Sequence, residues 1–110
     1  MEDYKEEAIQ RLRAYSRKEI IITPHAKKQA IFRGIPFDEV YENILNPQRL
    51  VFATKEGGKY RGEEKFGCYF GYSNTQCQFY ALALDGKCVV VTVIKINRRW
   101  QHKIEKKAKA

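Results

Sequence analysis

The first half of the chain carries hydrophobic residues at helical spacing. One stripe occupies positions i, i+4, i+5, i+8 and i+11, which are Tyr4, Ala8, Ile9, Leu12 and Tyr15. Another occupies i, i+3, i+4, i+7 and i+8, which are Phe37, Val40, Tyr41, Ile44 and Leu45. Such stripes predict amphipathic helices, the second beginning at Pro36 and ending at Asn46-Pro47.

Between these stripes lie a short β-branched run and the signals of a further helix. The run, Glu19 to Thr23, leads into Pro24. Thr can cap a helix and Pro suits its first turn, whereas Gly readily takes the left-handed conformation that ends one. We therefore expect a helix from about Pro24 to Arg33 that stops at Gly34.

From Arg49 onward the pattern changes to short runs of aromatic and β-branched residues, which favours strands. These runs cover residues 50–54, 66–72, 77–84 and 87–96. The links at residues 73–76 and at Asp85-Gly86 are short enough for hairpins. The second half of the chain is therefore predicted to be an antiparallel meander.

Helices followed by strands predict an α+β fold, with N-terminal helices packed on one face of a curved, roughly four-stranded antiparallel sheet. Residues 1–97 are expected to form this single domain. Residues 98–110 are expected to form a basic C-terminal tail or helix, for which Trp100 and Ile104 are the hydrophobic anchors.

Length and composition narrow the class of protein. With 110 residues, of which 44% are hydrophobic, the chain is suited to one compact domain. Its longest apolar run, Cys88 to Ile94, is too short for a membrane helix. The acidic N-terminus is unlike a secretory signal. We expect a cytoplasmic protein with no membrane partner.

The cysteines and histidines do not form a metal-binding pattern. The three cysteines are Cys68, Cys77 and Cys88, and the histidines are His25 and His102. No C-x-x-C pair occurs, so we predict neither a metal site nor another cofactor. Each cysteine lies in an apolar run, which is typical of a buried, reduced thiol.

The positive charge is concentrated near the C-terminus. The chain has 21 Lys and Arg against 13 Asp and Glu, a net charge of +8. Residues 1–48 are neutral overall, whereas residues 95–110 carry seven basic side chains and only Glu105 as an acid. This is the distribution expected of a polyanion binder, although a solvated basic tail would look the same.

Several motifs resemble those of a known family. Thr23-Pro24-His25-Ala26, Arg33-Gly34-Ile35, Val40 and Asn46-Pro47 resemble an uncharacterised family with the signature T-x-H-A-x-x-R-x-x-x-R-G-I and a following helix that ends in N-P. The chain has Gln29 at the first Arg of that signature. The family is similar in layout to RelE/ParE-like toxins, and the resemblance covers residues 20–96. It implies a metal-independent endoribonuclease acting on RNA, free or on the ribosome, and an acidic antitoxin protein as partner.

His25, Arg33 and Arg98 are the candidate catalytic residues. The imidazole of His25 can transfer protons near neutral pH, as cleavage of RNA by its own 2′-hydroxyl requires. Arg33 and Arg98 could stabilise the phosphate through paired N–H donors. The alternatives are that His25 only caps or packs the helix start and that Arg33 only complements the helix dipole.

The candidate nucleic-acid-binding residues are Tyr60, Arg61, Lys95, Arg99 and Trp100. Cations at the end of a strand, beside an aromatic ring that can stack on a base, suit single-stranded RNA. Trp100 could equally be the anchor that docks the tail. The charges around Tyr60 could equally protect an edge strand from aggregation.

Three functions remain open from the sequence. The first is the RelE-like endoribonuclease; the alternative is a non-catalytic nucleic-acid-binding or regulatory module that uses the same basic surface. A third is a protein-interaction domain that uses the neutral helical face. The enzyme hypothesis requires His25, Arg33 and the cations of residues 95–99 to converge on one surface.

Overall fold

The computed structural model describes residues 3–57 and 62–109 and has an α+β fold. Its helices are α1 (Lys5–Arg13), α2 (Pro24–Phe32), α3 (Phe37–Leu45) and α4 (Trp100–Lys109). Its strands are β1 (Ile20–Ile22), β2 (Leu50–Gly57), β3 (Glu64–Gly71), β4 (Cys77–Leu84) and β5 (Cys88–Ile96). Short 3₁₀ turns at Arg17–Glu19 and Pro47–Arg49 precede β1 and β2. The α+β class and the meander from β2 to β5 are confirmed.

The sheet differs from the predicted one in strand number and in direction. Five strands lie in the order β1-β5-β4-β3-β2, and β1 pairs in parallel with β5. The expectation of a four-stranded antiparallel sheet is therefore wrong, and the sheet is mixed. The β-branched run at Ile20–Ile22 supplies the fifth strand because Ile20 and Ile22 bury their side chains while their backbones pair with Cys88 and Val90.

One face of the sheet packs against the first three helices. The core between them includes Leu12 from α1, Ala30 from α2 and Ile44 from α3, each fully buried. The sheet contributes Phe66, Phe70, Tyr80, Leu82, Val90 and Val93. Because side chains alternate along a strand, the neighbouring residues of each strand point to the opposite face.

That opposite face carries the C-terminal helix. Trp100 of α4 packs there with Phe52, Tyr69 and Cys77, and Ile104 contacts the same cluster. Gly71 makes the close approach possible, because a Cβ atom at this position would lie 2.9 Å from Cζ2 of Trp100. Helix α4 (Trp100–Lys109) is therefore docked on the sheet through Trp100 and Ile104.

Helix α1 is held to the β2 edge by backbone contacts and charge. The N–H of Tyr4 donates to the carbonyl of Ala53 at 2.9 Å. Glu64 of β3 accepts from both Arg11 of α1 and Lys55 of β2. Within the described residues, no helix has the length and apolar character that crossing a membrane requires.

Candidate nucleic-acid interface

His25 lies in the first turn of α2, at one end of that helix. Thr23 caps the helix, and its Oγ1 accepts from the N–H of Ala26 at 3.1 Å. The N–H of Thr23 donates to the carbonyl of Val90, which places this end of α2 beside the early part of β5. The His25 side chain is exposed to solvent.

Gln29, one turn farther along α2, fastens the helix to β5. Its Oε1 accepts from the N–H of Val93 at 2.8 Å. The β4–β5 register shifts just before this point, between Ala81 and Leu82. The residue at the first Arg position of the signature thus has a structural role.

Arg33 lies at the other end of α2, where Gly34 turns the chain with a φ of 68°. Arg33 is half-buried, and its guanidinium lies 5.9 Å from the ring of Phe32. Eight residues separate it from His25, about 12 Å along the helix axis. Val90, whose carbonyl accepts from the N–H of Thr23, marks the position of the His25 end of α2 on β5. Lys95 is about 16 Å farther along that strand. The structure brings Arg33 towards Lys95 but leaves His25 remote from both.

A polar pocket of about 110 Å³ lies at the Arg33 end, between the α2–α3 turn and the sheet. Its walls come from three parts of the chain: the α2–α3 turn with the first turn of α3, the β3–β4 hairpin with the start of β4, and β5. The lining residues are Gly34, Ile35, Glu39, Tyr72, Gln76, Cys77, Gln78 and Lys95. Lys95 is the member of this lining that the sequence analysis gives as a candidate nucleic-acid-binding residue.

A buried hydrogen-bond network forms the base of this pocket. Asn43 of α3 donates through Nδ2 to the hydroxyls of Tyr72 and Tyr80, at 2.8 Å each. Tyr80 in turn donates to Oε1 of Gln78. Asn43 and Gln78 are 4% and 6% exposed, so this network replaces the water that both amides would otherwise bind.

Tyr72 belongs to this network, lines the pocket and contacts a cation. Burial is the largest cause that raises the pKa of its hydroxyl, to about 12, and the Glu39 carboxylate adds to the shift. The hydroxyl is therefore a hydrogen-bond donor and acceptor at neutral pH, not a base. The guanidinium of Arg49 lies 4.3 Å from the Tyr72 ring centroid. Arg49 is thus held beside the pocket by a cation–π contact.

Arg98 and Arg99 follow β5 and are both exposed. Trp100, the next residue, is 7% exposed, and its Nε1 donates to the carbonyl of Ser73 in the β3–β4 hairpin. The indole ring is therefore enclosed between the hairpin and Gly71. Its position matches the anchoring alternative, and we do not retain Trp100 as a base-stacking residue.

A second polar hollow lies on the far side of the same hairpin. It has a volume of about 460 Å³ and places Arg99 and His102 opposite the hairpin tip. Asn74, Thr75, Gln101 and Glu105 complete its lining. The hairpin therefore separates two polar depressions, with a cation in each.

We call this end of the sheet the cationic end and define it by Arg33, Arg49, Lys95, Arg98 and Arg99. Cross-strand pairing aligns Leu50 with Phe70, Phe70 with Gln78, and Gln78 with Lys95, so the start of β2 and the end of β5 lie at one level. Arg49 precedes that row and Arg98 follows it. Chain segments that are distant in sequence thus bring their cations to one end of the sheet.

Other candidate chemistry lies elsewhere or outside the described residues. Tyr60 and Arg61 fall outside the described residues. All three cysteines are buried, and burial raises the pKa of Cys77 and Cys88 to about 12. In residues 3–57 and 62–109, no three His, Cys, Asp or Glu side chains group as they would around a metal ion.

A scan of protein-family models, a search of curated proteins and a search of solved structures each found no match to this chain. The function is therefore argued from the geometry of the cationic end.

Sequence reasoning missed most of the pocket, although one signal was present. Asn43 is a polar residue between Val40 and Ile44 in the apolar stripe of α3, and a polar residue there requires a buried partner. Its partners, Tyr72, Gln78 and Tyr80, belong to strands whose facing residues only the assembled sheet defines.

Proposed function

We propose that this protein binds single-stranded RNA across the cationic end of its sheet. The observation that supports the proposal is that Lys95 lines a polar pocket and Arg49, from a distant segment, lies over the ring of another lining residue, Tyr72. Arg98 follows Lys95 by three residues at the same end of the sheet. Cations contribute most of the affinity for a phosphate backbone, whereas a pocket with fixed polar groups can accept one unstacked base. In the sequence, segment 95–110 contains seven basic residues, Lys95 and Arg98 among them.

The pocket favours a single strand over a duplex. At about 110 Å³ it is far smaller than the about 300–1,000 Å³ typical of sites for larger ligands. Its polar groups are recessed between a helical turn and the sheet, where the edge of a stacked base pair does not reach. Single-stranded bases can be splayed out and read along their edges.

Salt-dependent binding to a labelled RNA 12-mer tests this proposal. We expect tight binding to single-stranded RNA and weaker binding to the matching duplex. The logarithm of the affinity should fall with the logarithm of salt concentration, and Lys95→Gln and Arg98→Gln should each reduce this slope by about 0.7. Lys87→Gln is the matched control, because Lys87 is exposed in the turn at the opposite end of β5.

Two results would reject RNA binding at this surface. One is an affinity that does not change with ionic strength. The other is an equal loss of slope in Lys87→Gln and Lys95→Gln, which would indicate a diffuse charge effect rather than contacts at the cationic end.

A second candidate is a metal-independent endoribonuclease of the RelE-like type. The observation in its favour is that Gly34 and Ile35, which follow Arg33 in the signature-like segment, line the same pocket as Lys95. The position of His25 at the other end of α2 gives it no part at that pocket. Incubation of end-labelled RNA with chelator present, with wild type, Arg33→Ala and His25→Ala, distinguishes the candidates. RNA cleavage that is lost in Arg33→Ala favours the enzyme, whereas binding without cleavage favours the non-catalytic module.

The acidic protein partner is also a proposal, and α2 is the surface that fits it. Phe32 and Ile31 are 87% and 70% exposed, and α2 contains Lys27 and Lys28 but no acidic residue. An exposed apolar pair flanked by cations complements an acidic amphipathic segment. Copurification of a neighbouring acidic gene product with wild type, and its loss with Phe32→Ser, would support this partner.

A further inference from the structure

The small polar pocket presents an acceptor on one wall and donors on the other. Glu39 projects from the first turn of α3. Gln78 of β4 and Lys95 of β5 are direct cross-strand neighbours and line the sheet side. A ligand between them meets a carboxylate on one side and an amide and an ammonium group on the other.

Gln78 and Lys95 offer donors to a ligand, and the Glu39 carboxylate, which also interacts with the Tyr72 hydroxyl, has further lone pairs to offer. Gln78 is 94% buried, and its Oε1 already accepts from Tyr80 and Asn43, which leaves its Nε2 as a donor at the pocket wall. The ion pairs within the described part of the chain involve Arg11, Arg17 and Lys55, and neither Glu39 nor Lys95 takes part in them. A buried amide with a free donor requires an acceptor, which water or a ligand can supply.

Among the four RNA bases, guanine best matches this arrangement. A carboxylate has two oxygens and binds most strongly to two adjacent, parallel N–H donors. Guanine offers such a pair on its Watson–Crick edge, at N1 and the exocyclic N2, with the acceptor O6 next to them. Adenine, cytosine and uracil each interrupt the edge with an acceptor where the second donor would be needed.

We propose that the pocket receives a guanine base of the bound RNA strand. Glu39 accepts from N1–H and N2–H, while Gln78 and Lys95 donate to O6. Tyr72 and its Asn43 partner hold the wall against which the base edge lies. This inference rests on the proposed function, since the cations around the pocket supply the affinity for the strand and the pocket supplies the choice of base.

Matched oligonucleotides test the choice of base. The probes are U-rich 8-mers with one central guanosine, adenosine, inosine or uridine, measured at a fixed salt concentration. We expect the guanosine strand to bind on the order of 10- to 100-fold more tightly than the adenosine and uridine strands, as for a good bidentate pair. Inosine, which lacks the N2 amino group, should lose a substantial part of that preference.

Variants assign the preference to the pocket. Glu39→Gln should bind all four strands within about 3-fold of one another, because Gln has an NH2 donor in place of the second carboxylate oxygen and cannot pair with two parallel N–H donors. Glu42→Gln is the matched control: Glu42 is exposed on the same helix, and its side chain accepts from Nδ2 of Asn46, an interaction that Gln can keep. A preference for guanosine that survives in Glu39→Gln, or that is lost in Glu42→Gln, would overturn the assignment.

The results distinguish a failure of the guanine pocket from a failure of RNA binding. Equal, salt-dependent binding of all four strands would overturn the guanine pocket and leave RNA binding intact. No binding of any strand would overturn both. In a competition arm, millimolar GMP should weakly displace the guanosine strand and AMP should not; GMP that binds as tightly as the strand would identify a free nucleotide as the ligand and overturn the RNA assignment.

Discussion

Gln29 on α2 accepts a hydrogen bond from the backbone N–H of Val93 on β5 at 2.8 Å, where the β4–β5 ladder changes register. This contact fixes the path of α2 along β5. It thereby determines which residues of α2 reach the pocket: Gly34 lines it, whereas His25 lies at the far end of the helix.

Substituting Gln29 should therefore destabilise the fold. Gln29→Arg supplies no acceptor and leaves the Val93 N–H unpaired, which we expect to lower the free energy of unfolding by about 1–3 kcal/mol. Gln29→Glu retains an acceptor and should cost less. Urea titration followed by circular dichroism measures both variants, and equal stability of Gln29→Arg and wild type would show that the bond contributes nothing.

The contact between Gly71 and Trp100 predicts that α4 docks in its present position only when residue 71 of the sheet has no side chain. In Gly71→Ala the new methyl group would lie 2.9 Å from the indole, so Trp100 must move away from the sheet. Since Trp100 is the single tryptophan of the chain, its fluorescence should shift to the red. Gly57→Ala is the control, because no described residue other than its chain neighbours has an atom within 4 Å of a Cβ at that position. An unchanged spectrum in Gly71→Ala would contradict this packing.

Removing the Asn43 side chain should weaken the fold and disturb the pocket. Asn43→Ala deprives the hydroxyls of Tyr72 and Tyr80 of a shared donor in a buried site, at a cost of about 1–3 kcal/mol. Asn46→Ala removes an amide that is exposed and bonds only to Glu42, and it should change the unfolding free energy by about 0.5 kcal/mol or less. Similar effects of the two substitutions would argue against the buried network.

The carboxyl group of Glu64 should make the stability of the fold depend on pH in the acid range. Hydrogen bonds from Lys55 and then Arg11 lower the pKa of its carboxyl below the ordinary 4.5. Its contribution is therefore complete above pH 4.5 and is lost as the pH falls below that value through the folded-state pKa. Stability measured from neutral to acid pH should fall less steeply in Glu64→Gln than in wild type. Glu56→Gln, at an exposed site, should keep the wild-type profile.

Phe32 should contribute little to folding despite its size. It is 87% exposed, so Phe32→Ser removes almost no buried area, and we expect a change within about 0.5 kcal/mol. Phe70→Ala, at a fully buried core position, should cost about 3–5 kcal/mol. A large loss in Phe32→Ser, measured by the same urea titration, would mean that Phe32 packs within the protein and is not a free surface for a partner.

The amino-acid sequence by itself determined the features that depend on near neighbours in the chain. Hydrophobic spacing predicted α1 and α3, Thr23-Pro24 and Gly34 marked the ends of α2, and Asp85-Gly86 marked a hairpin. These predictions succeeded because helical stripes, caps and tight turns are set by residues within a few positions of one another.

The tertiary structure decided the features that depend on contacts between residues far apart in the sequence: the fifth strand, the role of Trp100 and the pocket. The Ile20–Ile22 run became a parallel fifth strand because its backbone pairs with β5 while Ile20 and Ile22 are buried in the core. Trp100 became an anchor because Gly71 leaves room for its ring. The pocket of Glu39, Gln78 and Lys95 joins three elements whose facing residues are fixed by strand register and helix packing, which no short stretch of sequence encodes.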